Sequence, residues 1–472
     1  MHRIIAALLA AASCATSAQA QVVRPYRSVT DNTADDRQRT IGFVPASTSG
    51  QAGGAVTSPV AQPQSGPPLS TQAPVTGPPS PATPLAPRTG PLPATLSLEQ
   101  ALEEAVSRSP AIVAAEADVE ASRARLRQAG FRFNPTLNVD VEDLVGTGIY
   151  SGVQSAQVTA TLTQQLDLFG RRSSRVNAAR AGLAAQELRL GIARADLAQA
   201  VRLQFAGAVA ARDRLRLATD NLARARELAR IADELVAAGR EPPLRALRAR
   251  ANAAQAEAAL RAAEAADIAA RRTLAGLFGT TGEVGGVAGP LIPLSLPTIE
   301  PASTLEVRLA EAERIQAEAV LRQEQVARRL DPSVGVGVRR LEQTGDTALV
   351  AGVSVPLRIF DRNQGNVSAA QASIRAAEAR RAAALAQATA RIGNAGSNIA
   401  AAQARVSALE TAALPQASEA LRLANLAYRA GRLTLLELLD AQQALAATQN
   451  ELIDARAALA EASATLVRAA AR

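Results

Sequence analysis

Residues 355 to 374 read VPLRIFDRNQGNVSAAQASI. An alternating apolar run meets Pro356, passes through Phe360-Asp361-Arg362-Asn363-Gln364-Gly365, and gives way to an Ala-rich helical pattern. This is the signature of a strand that hands over directly to a long helix. A weaker copy, QQLDLFGRRSSRVNAARAGL, starts at Gln164, so that Leu166, Phe169, Arg171 and Val176 fall opposite Leu357, Phe360, Arg362 and Val367 (357 − 166 = 191). Two further landmarks recur at a similar spacing. Pro135 and Pro332 precede the first strand of each half (332 − 135 = 197), and Gly239 and Gly431 mark a helical turn in each (431 − 239 = 192). The pattern predicts an internal duplication.

Outward from the junctions, each half reads helix, strand, strand, long helix, turn, helix. In the first half, Ser97 and Gln100 form a capping-box pattern that opens a helix expected to reach about Gln128. Leu137, Val139 and Val141 then alternate with Asn138, Asp140 and Glu142, and Val158, Ala160 and Leu162 with Thr159, Thr161 and Thr163. These are two strands, each with one apolar and one polar face. The following helical pattern, from about Arg171 to Ala238, would be roughly 100 Å long. It breaks at residues 237–243, where Gly239 suits a C′ position and Pro242 a helix start. A helix returns from about Leu244 to Leu277. In the second half a helix covers about Leu305 to Arg329, and DPSVGVGVRRLEQTGDTALVAGVSVPL supplies two strands, the first weakened by Gly335 and Gly337. A long helix runs from about Asn366 towards Tyr428 with a bend near Pro415, and a last one from about Thr434 to Ala470. The expected repeats are residues 94–279 and 301–472, joined by a Gly/Pro-rich linker over 280–300.

Composition agrees with close helix packing. Aromatics make up 2 % of the 472 residues and Trp is absent, so the interior must be filled by small side chains, chiefly Ala. The formal net charge is +8 and every basic residue other than His2 is Arg. The arginines are spread along the helices among Glu and Gln, without the clustering and aromatic interleaving of a nucleic-acid surface. The expected fold class is mainly α with a small β part, and nucleic acid is not expected among the partners.

The first twenty residues, MHRIIAALLAAASCATSAQA, have a basic start, an apolar stretch and a small-x-small end at Ala18-Gln19-Ala20. They read as a secretory signal peptide cut before Gln21. A lipobox ending at Cys14 is the rival reading, although Ala11-Ala12-Ser13 lack its usual Leu. Residues 21–93 are rich in Pro, Gly, Ser and Thr and read as a disordered leader. The only His is His2 and the only Cys is Cys14, so a mature chain would hold no soft metal ligand and no thiol nucleophile. No catalytic constellation appears, and neither an enzyme nor a resident cofactor is expected.

Four strands of about ten residues are long enough to cross a bilayer at a tilt. Four strands cannot close a barrel, and open edges are not tolerated in lipid. Membrane-spanning strands would therefore come from several chains sharing one barrel, with the long helices continuing as a shared cylinder. The alternative from another class is an exported coiled-coil scaffold without a pore.

The order of elements, the duplication and the segment AYRAGRLTLLELLDAQQALAATQNEL (427–452) resemble TolC-type outer-membrane efflux factors, over about residues 95–470. VPLRIFDRNQGNVSAAQA is most similar to the CzcC-like heavy-metal branch. The resemblance implies a homotrimer with a twelve-stranded barrel in the outer membrane of a Gram-negative bacterium, and a periplasmic helical tunnel. It further implies a periplasmic adaptor and an inner-membrane pump of the resistance-nodulation-division class as partners, with divalent cations of the cobalt, zinc and cadmium type as cargo. Drug or solvent efflux and type I secretion are the alternatives within the family. Ala430-Gly431-Arg432-Leu433-Thr434 matches the family's adaptor-contact turn in full, whereas beside Gly239 the expected Thr/Ser is Pro242. Glu437 and Asp440 stand where related channels carry an acidic constriction ring. Arg245 occupies the equivalent place in the first half (437 − 192 = 245) and is a candidate gate partner for either carboxylate. Phe169 and Phe360 mark the strand–helix junctions, Phe360 is expected at the lipid–water boundary, and Asp361 and Asn363 are expected to cap the helix that follows.

Overall fold

The computed structural model describes residues 90–280, 282–289 and 299–471. The expected signal peptide, the leader up to residue 89, and much of the expected linker lie outside the described residues.

The first half contains α1 (Leu98–Arg108), α2 (Pro110–Ala129), β1 (Thr136–Glu142), β2 (Gln157–Gln165), α3 (Arg171–Ala237) and α4 (Pro243–Gly276). The second contains α5 (Leu305–Ala327), β3 (Ser333–Leu341), β4 (Thr347–Ser354), α6 (Gln364–Ala408), α7 (Leu414–Arg429) and α8 (Leu435–Ala469). Ser97 opens α1 with the expected capping box. The helix does not run through to Gln128 as expected. Pro110 has no N–H to bond back to residue 106, Ser109 turns extended at ψ 121°, and α2 starts afresh with Pro110 at its first position. Near Pro415 the helix continues through a π-turn over Leu409–Ala413. The wider turn accommodates a proline ring that would otherwise meet the carbonyl of residue 411.

Helix α3 is 67 residues long and is held along its length by successive partners. Arg189 bonds Glu313 of α5, Arg194 bonds Glu116 of α2, Arg214 pairs with Asp454 of α8, and Arg226 bonds Glu257 of α4. Beneath these exposed pairs the buried positions are largely Ala, including Ala206, Ala208, Ala210 and Ala211, which lets neighbouring helices approach closely. A mid-length core joins Leu96, Val201, Phe205, Val209, Leu274 and Phe278. No helix among the described residues is long and apolar enough to cross a membrane.

The four strands form one antiparallel sheet in the order β1-β2-β3-β4. The register aligns Leu137 with Leu162 and then Val336 and Ala351, and Val139 with Ala160, Val338 and Leu349. One face is thus apolar across all four strands, and it is exposed: Leu137 at 66 %, Val336 at 58 % and Leu349 at 84 %. Asn138, Asp140, Thr159 and Thr161 share the other face, where Arg339 donates to Thr159 Oγ1 at 3.0 Å. On β3 that face carries Gly335 and Gly337, and β1 and β4 are both free edges. The glycines answer to close packing. A Cβ on Gly337 would stand 2.4 Å from the Ala160 carbonyl oxygen, and one on Gly335 would stand 3.2 Å from two Thr side chains.

Candidate functional site

At the sheet's helical end the junctions are covalently short and heavily bonded. Phe169 adopts φ 62° ahead of Gly170 at φ 78°, and Asp167 Oδ1 accepts from the N–H of Arg172, satisfying the first turn of α3. In the second junction Asn363 has φ 62° and stands at the N-cap position of α6, yet its side chain makes no cap bond, contrary to expectation. Its amide is drawn across to α5 instead, donating to the Glu324 carbonyl at 3.0 Å and carboxylate at 2.7 Å, while Asn366 donates to its Oδ1. Asp361 Oδ1 accepts from the Asn363 N–H at 2.8 Å and so shapes the turn before the helix, without capping the helix itself. Phe360 is 91 % exposed. The buried positions Ser174, Ala178 and Ala185 of α3 recur in α6 as Val367, Ala370 and Ala377 (offsets 193, 192 and 192). The packing offset therefore matches the helical turns better than the 191 obtained by aligning the junction strings.

At the opposite end of the long helices, the turns at Gly239 and Gly431 are built alike. The glycines have φ 70° and 71°. Gly239 N–H donates to Val236 and Arg240 N–H to Leu235; Gly431 N–H donates to Tyr428 and Arg432 N–H to Ala427. Both are Schellman caps, in which only a residue without Cβ is free of strain at C′. The two hairpins are joined by one apolar cluster in which Leu228 and Ala232 of α3 and Ala249 of α4 meet Tyr428, Leu435, Leu438 and Leu439. Leu433 packs against that cluster and is only partly exposed.

Beyond the glycines the turns diverge. Thr434 caps α8 in a full capping box: Glu437 N–H donates to Thr434 Oγ1 at 3.4 Å, and Thr434 N–H and Oγ1 donate to the Glu437 carboxylate at 2.9 and 2.7 Å. The Thr434 hydroxyl and amide hold the Glu437 carboxyl below its ordinary range. Asp440 lies one turn further on, exposed like Glu437, and has no hydrogen-bond or ion-pair partner among the described residues.

Arg245 does not pair with Glu437 or Asp440 within the chain. It forms an ion pair with Glu241, four residues earlier. Pro242 at the N-cap of α4 offers no side-chain cap, so the exposed first turn is closed by this local pair. Tyr428, which no sequence motif marks, lies beside the pair. Tyr428 is buried, its hydroxyl has no hydrogen-bond partner among the described residues, and burial pushes that hydroxyl up, with Glu241 adding to the shift and Arg245 opposing it. Its signal in the sequence is rarity, as one of three tyrosines in the chain.

A profile of the outer membrane efflux protein family matches residues 101–280 and 302–472. The chain belongs to the outer membrane efflux protein family. As a member it is an outer-membrane protein, of a family of efflux proteins rather than enzymes. It is 35 % identical to the nickel and cobalt resistance protein CnrC of Cupriavidus metallidurans over 57 % of this chain and 65 % of that protein. It is 28 % identical to the cobalt-zinc-cadmium resistance protein CzcC of the same species, over 74 % and 84 %. The matched region thus spans just under two thirds of the first relative's length. Among solved structures, the Vibrio cholerae outer membrane protein VceC superposes with a TM-score of 0.68 at 23 % identity, over 79 % of this chain and 96 % of that one. The open-state MtrE channel of Neisseria gonorrhoeae gives 0.67 at 22 %, over 79 % and 88 %. These structures share the fold of this member of the efflux family.

Proposed function

We propose that this efflux-family protein is the passive exit duct of a tripartite pump, and that three copies pool their strands into a twelve-stranded barrel. The observation that carries the reading is the sheet. It has one exposed apolar face across all strands and two free edges, a combination that lipid tolerates only when other chains complete the ring. The long helices then extend the barrel as a periplasmic tunnel. At its far end Glu437 and Asp440 of three copies form an acidic constriction that favours cations. The exposed turns at Gly239, Gly431 and Thr434 meet a periplasmic adaptor, which couples the duct to an inner-membrane pump of the resistance-nodulation-division class. The packing of Leu433 into the apolar cluster leaves it a smaller share of that contact.

The cargo is proposed to be divalent heavy-metal cations, supported by the relatives named for nickel, cobalt, zinc and cadmium resistance. Deleting the gene and measuring growth inhibition by cobalt, nickel, zinc and cadmium salts tests this. Sensitivity to at least one metal is expected to rise, with drug and solvent tolerance unchanged. The opposite pattern overturns the choice of cargo. A fully soluble monomer on membrane fractionation overturns the duct.

A further inference from the structure

The four strands all meet their helices at one end of the sheet: Thr136 pairs with Thr163, Gln165 with Ser333, and Ser333 with Ser354. The connecting stretches 130–135, 165–175, 328–332 and 355–363 therefore form a single belt. It is apolar on its surface, with Phe131 at 62 % exposure, Leu357 at 75 % and Phe360 at 91 %. It is also strongly basic, with eight arginines against three aspartates across those stretches (eight minus three leaves five positive charges per chain).

The three aspartates are already engaged. Asp167 bonds Arg175, Asp331 lies between Arg171 and Arg358, and Asp361 accepts from a backbone amide. The five remaining arginines have no carboxylate partner among the described residues. Arg172, Arg329 and Arg362 reach only backbone carbonyls, and Arg132 and Arg328 have no side-chain partner among the described residues. Two guanidinium groups lie against the exposed rings, Arg175 at 4.6 Å from the Phe133 centroid and Arg329 at 5.9 Å from that of Phe169. Cations and apolar side chains are thus held in one narrow level, where hydrocarbon gives way to headgroups.

We propose that this belt binds acidic phospholipid headgroups of the periplasmic leaflet. The inference rests on the membrane-spanning reading of the sheet and adds a lipid class to it. A neutral headgroup leaves five guanidinium charges per chain uncompensated, whereas a phosphate without a neighbouring ammonium offers the planar fork a bidentate partner. The apolar side chains fix the depth, and the arginines select the headgroup. The occupant is a bilayer lipid rather than a free phosphate, because the same belt buries the adjacent acyl region against Phe131 and Phe360.

The test is flotation of the detergent-purified full chain with vesicles of phosphatidylcholine alone, or containing about one fifth phosphatidylglycerol, at about 0.1 M and 1 M NaCl. Lipid bound to the re-extracted protein is then counted by mass spectrometry. Phosphatidylglycerol is expected to be enriched at least about threefold over its share of the bilayer at low salt, and less at high salt. R132Q/R328Q, which removes no side-chain hydrogen bond or ion pair among the described residues, is expected to lower the enrichment while leaving insertion intact, and R132K/R328K, which keeps the charge but not the fork, to lower it less. Insertion with no enrichment in the wild type overturns the lipid assignment alone. Failure to float with either vesicle overturns the membrane reading and the assignment together. Loss of the phosphatidylglycerol enrichment when inorganic phosphate is added at a concentration equal to that of the lipid also overturns it.

Discussion

Gly337 of β3 runs so close to Ala160 of β2 that a Cβ on the glycine would lie 2.4 Å from the alanine's carbonyl oxygen, and 2.8 Å from Thr161 Oγ1. The backbone oxygen cannot swing aside without breaking the ladder. Gly337→Val is therefore expected to destabilise the proposed barrel by about 1–3 kcal/mol, read as a lower temperature at which the oligomer band dissociates on a gel. Gly352→Ala, which opens onto free space, is the matched control and should change little.

The Thr434 hydroxyl and amide keep Glu437 ionised further into acid than an ordinary glutamate. The sign follows from the depressed value: the cap's contribution is complete above the ordinary glutamate range and is lost as pH falls through the lower folded-state value. Cation selectivity of the reconstituted channel, measured as a reversal potential, should persist below the ordinary glutamate range. In Thr434→Ala it should fade at a higher pH, and Thr434→Ser should behave as the wild type.

Arg245 and Glu241 form a pair local to one turn. A double-mutant cycle between Arg245→Gln and Glu241→Gln is expected to give a coupling of about 0.3–0.5 kcal/mol in thermal unfolding. The corresponding cycle between Arg245 and Glu437 should give a coupling near zero. A large coupling there would show that the two residues meet between copies, as in the proposed tunnel.

Tyr428 buries a hydroxyl without a partner among the described residues, which is a cost in the folded state. Tyr428→Phe keeps the ring in its cluster with Leu435 and Leu438 and is expected to leave the melting temperature unchanged or raised. Tyr428→Ala empties the cluster and should cost about 3–5 kcal/mol. A Tyr428→Phe variant that melts markedly earlier would reveal a hydrogen-bond partner supplied by another chain.

Period and punctuation made the architecture legible. Alternation placed Leu137 to Val141 and Val158 to Leu162 on matching faces, and Gly239 and Gly431 announced their left-handed caps because few other residues tolerate that backbone. Competition between partners was not legible. Asn363 has the chemistry of a cap, but Glu324, 39 residues earlier, claims its amide. Arg245 is placed by the 192-residue offset opposite Glu437, yet Glu241 is nearer along the chain. Pro110 falls inside the single helix that the capping box at Ser97 opens in the sequence, and it restarts that helix in the structure. Gly337, whose place in the sequence points to a weakness in β3, is instead where only a bare backbone leaves room for β2, and Gly335 is a close fit against the Thr161 and Thr163 side chains.

The two open edges of the sheet, β1 and β4, have a genetic consequence. In the proposed three-chain barrel no copy completes its own hydrogen bonding, so a faulty edge harms its neighbours as well as itself. A cell making equal amounts of sound and edge-damaged chains would assemble only about one barrel in eight from sound copies alone. Damage at an edge strand should therefore act dominantly, whereas the loss of a whole gene copy should act recessively.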